Sequence, residues 1–156
     1  MGSRKPDLTN ALTKKILSRC SLVYTGERIE MEYRIIIDGK FPSLNQFIDA
    51  NRSGKGRWNK GNSMKQADQK VLAGYILTQL RKVHITKPVR LKYFYYEPNS
   101  KRDKDNISGY FHKIFQDALV HCGVLKNDDW KCIVGFSDDF YIDKKYPRIE
   151  VLIQEV

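Results

Sequence analysis

Hydrophobic positions change their period several times along this chain, and each change marks an element. From Met31 the run Tyr33-Arg34-Ile35-Ile36-Ile37 reads as a strand, closed by the turn signal Asp38-Gly39-Lys40. Ser63, with Gln66 three residues on, is a capping-box signal for a helix reaching about Val83. Ala67, Val71 and Tyr75, with Leu72 and Ile76, give that helix an apolar face. Pro88 marks a break, and Arg90-Leu91-Lys92-Tyr93-Phe94-Tyr95-Tyr96 alternates like a strand with one buried and one wet face. Ile107, Tyr110, Phe111, Ile114, Ala118 and Cys122 then fall on one helical stripe from Asn106 to His121, with Gly123 as the stop. Trp130–Tyr141 reads as a strand, Tyr146-Pro147 as a turn, and Arg148–Ile153 as a last strand alternating Ile149, Val151 and Ile153 with Arg148, Glu150 and Leu152. The predicted order is β-α-β-α-β-β, a single α+β domain.

The first thirty residues differ from the rest. Leu8, Leu12 and Ile16 recur at fourfold spacing, consistent with a short helix from Asp7 to Arg19. Residues 1–30 are therefore read as an N-terminal extension or extra helix, and residues 31–156 as the folded domain. Between the first strand and the first long helix lies Asn51-Arg52-Ser53-Gly54-Lys55-Gly56-Arg57-Trp58-Asn59-Lys60-Gly61-Asn62. Its glycines make it pliant and its cations make it basic. A mobile surface loop has this composition, and so does an arm that tracks a phosphate backbone through Arg52, Lys55 and Arg57; charge density favours the arm.

Charge narrows the partners. Lys and Arg number 28 against 18 Asp and Glu, a formal net charge of +10. An excess of this size in a small domain favours a polyanion such as nucleic acid over a neutral ligand. No apolar run reaches membrane-spanning length, and no apolar segment of secretory type follows the basic N-terminus. The three cysteines, Cys20, Cys122 and Cys132, form no Cys-x-x-Cys pair. They read as reduced thiols of a cytoplasmic protein. A zinc site drawing on His112, His121, Cys122 and Cys132 lacks ligand spacing.

Against this basic background the run Lys101-Arg102-Asp103-Lys104-Asp105-Asn106 stands out, with Asp128-Asp129 after the helix that follows it. Carboxylates repel a polyanion unless they hold divalent cations that phosphates share. Asp105 has a structural alternative as a helix cap, whereas Asp103 has none. Asn106, Lys113 and Asp117, spaced by seven and four, share a flank beside the apolar stripe. Lys113 and Asp117 also suit a plain i,i+4 ion pair. An EF-hand counted from Asp103 fails, with Ile107 at the fifth position, Ser108 at the sixth and Ile114 at the twelfth. A small cluster suited to Mg²⁺ or Mn²⁺ remains, and no small-molecule cofactor is indicated. Phosphodiester hydrolysis fits such a cluster, and a nearby lysine adds charge stabilisation or orients water.

The ordered set Arg102-Asp103-x-Asp105-Asn106, Lys113-x-x-x-Asp117-Ala118-Leu119, Gly123 and Asn127-Asp128, with Pro42-Ser43-x-Asn45 upstream, resembles the RusA-type Holliday-junction resolvases. The resemblance covers residue 31 to the end. It implies a RusA-like fold and a homodimeric, Mg²⁺-dependent endonuclease of prophage type, active in DNA recombination and repair. Such an enzyme resolves four-way DNA junctions by paired symmetric nicks. It places the catalytic, metal-holding carboxylates on Asp103, Asp105 and Asp128 and a functional lysine on Lys113. DNA contacts are expected at Arg102, Lys101, Asn45, Asn106 and the basic loop. Two departures stand out. The stretch from Asn106 to Lys113 is about one helical turn longer than in the shortest relatives. Asp129 stands where many relatives have glycine; Asp128 is chosen by its five-residue offset from Gly123, with Asp129 as the alternative. The residues leave two other functions open: a metal-dependent nuclease for forks, flaps or RNA, and a non-catalytic nucleic-acid-binding module.

Overall fold

The computed structural model describes residues 20–25, 28–53 and 59–156, with side chains from Glu30 onward. The proposed helix over residues 7–19 and the loop residues Lys55 and Arg57 lie outside this range. The elements are β1 (Cys20–Thr25), β2 (Arg28–Asp38), α1 (Leu44–Arg52), α2 (Lys60–Gln79), β3 (Val89–Glu97), α3 (Lys104–His121), β4 (Ile133–Ile142) and β5 (Arg148–Glu155). They form one five-stranded mixed sheet in the order β1-β2-β5-β3-β4. β3 and β4 are parallel and the other neighbours antiparallel. Parallel neighbours need a long crossover, which α3 supplies.

This is an α+β domain, but its element order differs from the predicted one. Met31 lies inside β2, which begins at Arg28, and β1 pairs along it from Cys20↔Tyr33 to Thr25↔Arg28. The boundary at residue 31 therefore cuts through a strand ladder. The short helix α1 was not expected. Ser43 opens it through a capping box: its Oγ accepts from the Gln46 N–H and its own N–H donates to the Gln46 side chain. The cap of α2 is Asn59, not Ser63, because the Asn59 side chain accepts from the Gly61 N–H at 2.7 Å. β4 begins at Ile133 rather than Trp130, which is 96% exposed in the turn before it.

Register explains the core. Tyr93 pairs with Val151 and Val151 with Ile35, so these side chains share a face. That face carries Ile35 and Ile37 of β2, Val89, Leu91, Tyr93 and Tyr95 of β3, and Ile149, Val151 and Ile153 of β5, all buried. Against it α3 sets Ile107, Tyr110, Phe111, Ile114, Phe115, Ala118 and Leu119, and α2 sets Leu72 and Ile76. The stripe of α3 is as predicted but wider by Phe115 and Leu119. The buried residues of α2 are Leu72 and Ile76, while Val71 is half exposed, so its inward face is turned by one position. Tyr93 and Tyr95 are core residues of an interior strand. They are not available to the dimer surface to which the Tyr93–Tyr96 strand was a candidate contributor.

Two polar devices finish the sheet. The Gln79 amide donates to the Ile36 carbonyl (2.6 Å) and its oxygen accepts from the Ile36 N–H (2.9 Å), sealing backbone of β2 beyond the end of β1. On the face away from the helices, Glu150 is only 4% exposed, although its place in the alternation predicts a wet side chain. Arg34 and Arg148 bracket it, and Arg148 also stacks on Tyr96 at 3.6 Å. Burial raises the Glu150 pKa, but the two arginines outweigh it and hold the group below its ordinary value. Such a group contributes stability above its unfolded pKa and loses it as pH falls through the lower folded value. Glu150→Gln is expected to cost about 1–3 kcal/mol at neutral pH. The gap to wild type should shrink below about pH 4. Urea denaturation of both proteins at pH 7 and pH 3.5 checks this.

Candidate metal and nucleic-acid site

The site sits where β3 hands the chain to α3. Glu97 ends β3 and is buried, and Arg102 turns back to clamp it. The guanidinium donates to both Glu97 oxygens (Nη2 at 2.6 Å, Nε at 3.1 Å) and to the Phe41 carbonyl through Nη1 at 2.7 Å. One planar cation thus ties the end of β3, the chain before α1 and the start of α3 together. The resemblance implies a functional arginine here, and a DNA contact was expected. Its hydrogen bonds instead make Arg102 a positioning residue for the turn that carries the carboxylates.

Asp103 occupies the N-cap position of α3 with extended backbone (φ −69°, ψ 146°), yet its side chain makes no cap hydrogen bond. An aspartate here ordinarily caps the helix and contributes about 1 kcal/mol by doing so. Asp103 is exposed, and its carboxylate has no hydrogen-bond or ion-pair partner among the described residues. The cap expected at Asp105 is therefore not found. Asp105 lies in the first turn, exposed, with Oδ1 accepting from the Asn106 N–H at 2.9 Å. Asp103 and Asp105 line one cleft of about 700 Å³ with Arg102, Lys104, Phe140 and Ile142. The Lys104 ammonium lies 5.6 Å from the centre of the Phe140 ring.

Asp128 is not in that cleft. Asp103 belongs to the end of the sheet where Glu97 pairs with Ile142, and Asp128 to the opposite end, where Val89 pairs with Ile133. The 18 residues of α3 separate them, a span on the order of 25 Å. Accordingly, no group of three His, Cys, Asp or Glu residues able to hold a metal occurs among the described residues. A single chain therefore does not assemble the expected three-carboxylate cage.

The choice between Asp128 and Asp129 becomes physical. Asp129 Oδ1 accepts from the N–H groups of Lys131 and Cys132, and Oδ2 from the Asn127 amide, each at 3.0 Å. The backbone N–H of Cys132 leads in holding Asp129 below the ordinary carboxylate pKa. Asp129 is used up in its turn. The Asp128 carboxylate is exposed and has no partner among the described residues.

Lys113 is also remote from the carboxylate turn. It lies two turns along α3 from Asp105, about 12 Å by helical rise. It pairs with Asp117 at 3.3 Å, and Lys65 reaches the same carboxylate at 2.8 Å. Burial raises the Asp117 pKa, but the bonds from Lys65 and Lys113 outweigh it and the net shift is downward. The i,i+4 pair is thus what the helix face holds.

The remaining predicted contacts are spread along one side. Asn45 is exposed in the first turn of α1, next to Leu44, which packs against α3 at Gly109. Lys101 is exposed, and Asn106 lies half-buried in the first turn of α3. Arg52 ends α1, exposed, with a long 3.8 Å approach to Asp49. The Asn59 amide donates to the Asn51 carbonyl at 3.3 Å, so the two ends of the basic loop are pinned side by side.

Two features escaped the sequence. Glu97 carried no motif, and only its buried parity at the end of β3 marks it. His112 on α3 bonds Asp138 on β4 at 2.7 Å and packs between Tyr93 and Phe136. Their separation in sequence hides that pair.

No protein-family model matches the chain, and no curated protein matches it.

Arg102→Ala leaves the Glu97 carboxylate buried without its cation, a loss of about 3–5 kcal/mol. Arg102→Lys should restore only part, because a point charge does not reproduce the fork. Denaturant titration of the two variants and of Arg102→Ala/Glu97→Gln checks this, with the double variant expected to recover stability. Unchanged stability in Arg102→Ala would return this residue to the DNA surface.

Proposed function

We propose that this protein is a Mg²⁺-dependent endodeoxyribonuclease acting on four-way DNA junctions. The observation that carries the reading is Asp103: an aspartate at a helix cap that does not cap, turned to solvent beside Asp105. In a chain of net charge +10 this acidic notch has no structural use. Two exposed carboxylates suit Mg²⁺ or Mn²⁺, which take one or two and keep several waters. When bound there, the ion supplies charge stabilisation to the phosphate and a lowered pKa for attacking water.

The chain's own residues do the rest. Arg102 and Glu97 hold the turn rigid, so both carboxylates are presented without reorganisation. Lys101, Lys104 and the N-terminal end of α3 add positive potential where a phosphodiester would lie. Asn45 and Arg52 extend that surface along α1 towards the basic loop. The choice of a four-way junction rests on the resemblance of the ordered motif set to the junction resolvases. Phosphate recognition by cations alone carries no sequence preference.

Asp103→Asn and Asp105→Asn are expected to abolish Mg²⁺-dependent nicking while retaining, or slightly tightening, DNA binding, since each removes a negative charge from the DNA face. Cleavage assays on a mobile four-way junction beside duplex, fork, flap, single-strand and RNA controls check this. Near-wild-type nicking by either variant contradicts the assignment. Preferential cutting of forks, flaps or RNA changes the substrate and keeps the site.

Replacing Arg52, Lys55 and Arg57 together should weaken binding to all DNA. Each lost phosphate contact removes about 0.9 from the slope of log K against log salt. Binding titrations over a range of salt read this slope, and an unchanged value would make the loop a solvated turn.

A further inference from the structure

β4 is an edge strand of ten residues, without proline or lysine. It leaves Val134, Phe136, Tyr141 and Ile142 between 43% and 56% exposed. Natural edges of this length are blunted by charge, proline or a covering element. Here Asp138 is already engaged by His112, so the apolar side chains and the unpaired backbone dominate the rim.

The natural occupant is a second copy. Antiparallel pairing of β4 with itself about a twofold axis closes on two chains and leaves no further edge there. Charge selects a register. With Ser137 on the axis, Gly135 faces Asp139 of the partner subunit. The Arg90 guanidinium carbon lies 3.8 Å from where a Gly135 Cβ would stand, beside that carboxylate. Val134 then meets the partner's Phe140, and no two aspartates stand opposite each other, an arrangement that cross-strand pairing rewards.

This register also brings the two ends of the sheet together. Cys132 falls opposite Ile142 of the partner subunit, and Ile142 lines the cleft of Asp103 and Asp105. Asp128 precedes Cys132 in the turn that the Cys132 and Ile133 N–H groups close on the Asp129 carbonyl. The partner's Asp128 therefore reaches the cleft that a chain's own Asp128 cannot.

We infer that two chains join edge to edge through β4, and that each carboxylate cleft is completed by Asp128 of the partner subunit. The second half rests on the carboxylate reading given under Proposed function; the strand pairing does not.

Sedimentation velocity on the full chain tests the pairing. A dimer is expected at micromolar concentration, with Val134→Lys and Phe136→Lys each weakening association at least tenfold while circular dichroism shows the fold intact. A monomeric wild type, or a folded Val134→Lys that associates like wild type, overturns the inference. Subunit mixing tests the completion. Asp105→Asn and Asp128→Asn chains should each be inactive and dimeric. Mixed, they should recover nicking, because one cleft of each heterodimer is intact: about a quarter of the wild-type number of sites for random pairing. Dimeric mixtures that stay silent, or an Asp128→Asn protein that cuts unaided, overturn completion in trans. A dimeric wild type that cuts no DNA leaves the strand pairing standing and ends the nuclease reading.

Discussion

The burial of one stripe of α3 against β3 is the interaction on which the rest depends. Tyr93 meets Phe111 and Phe115 edge-on at 6.1 and 5.9 Å, and Phe111 stacks on Phe115 at 5.4 Å. Each such ring contributes about 1.5–3 kcal/mol by leaving water. The helix is thereby held across the sheet, and its N-terminus must emerge beside Glu97. Asp103 and Asp105 are delivered to that end of the molecule and Asp128 to the other. Any account of carboxylates acting together has to reckon with the length of this helix.

The charges divide into those spent on the fold and those left over. Glu150, Asp117 and Asp129 are each satisfied, by arginines, lysines and backbone N–H groups respectively. Glu97 is satisfied by Arg102. Asp103 and Asp128 have no such partner among the described residues. Their exposure does not arise from a crowded surface, because cations are in excess in this chain. An unspent carboxylate beside unspent cations is the signature on which the functional proposal turns.

Much of the fold was legible in the sequence where periodicity ran long. The α3 stripe from Ile107 to Ala118 and the alternation of β3 and β5 name their own buried faces. What was hidden depended on contacts between distant residues. Ser43 and Gln46 form a capping box as regular as the Ser63–Gln66 signal, yet the helix they open is short and has no buried stripe to announce it. β1 became visible only through its ladder with β2. In the site, Asp103 and Asp105 stood out by type and spacing. The separation of Asp128 from them did not, since sequence offset says nothing of which end of a sheet a turn occupies. Arg102 was mistaken for a DNA contact because its partner, Glu97, belongs to the preceding strand and carries no motif.

Paramagnetic line broadening by Mn²⁺ tests the central claim most directly, that the turn before α3 is a divalent-metal site. In the isotope-labelled full chain, substoichiometric Mn²⁺ should broaden the amides of Asp103, Lys104, Asp105 and Asn106 first, and that broadening should vanish in Asp103→Asn/Asp105→Asn. Broadening spread evenly over the exposed carboxylates, or centred elsewhere and unchanged in the double variant, would contradict the account.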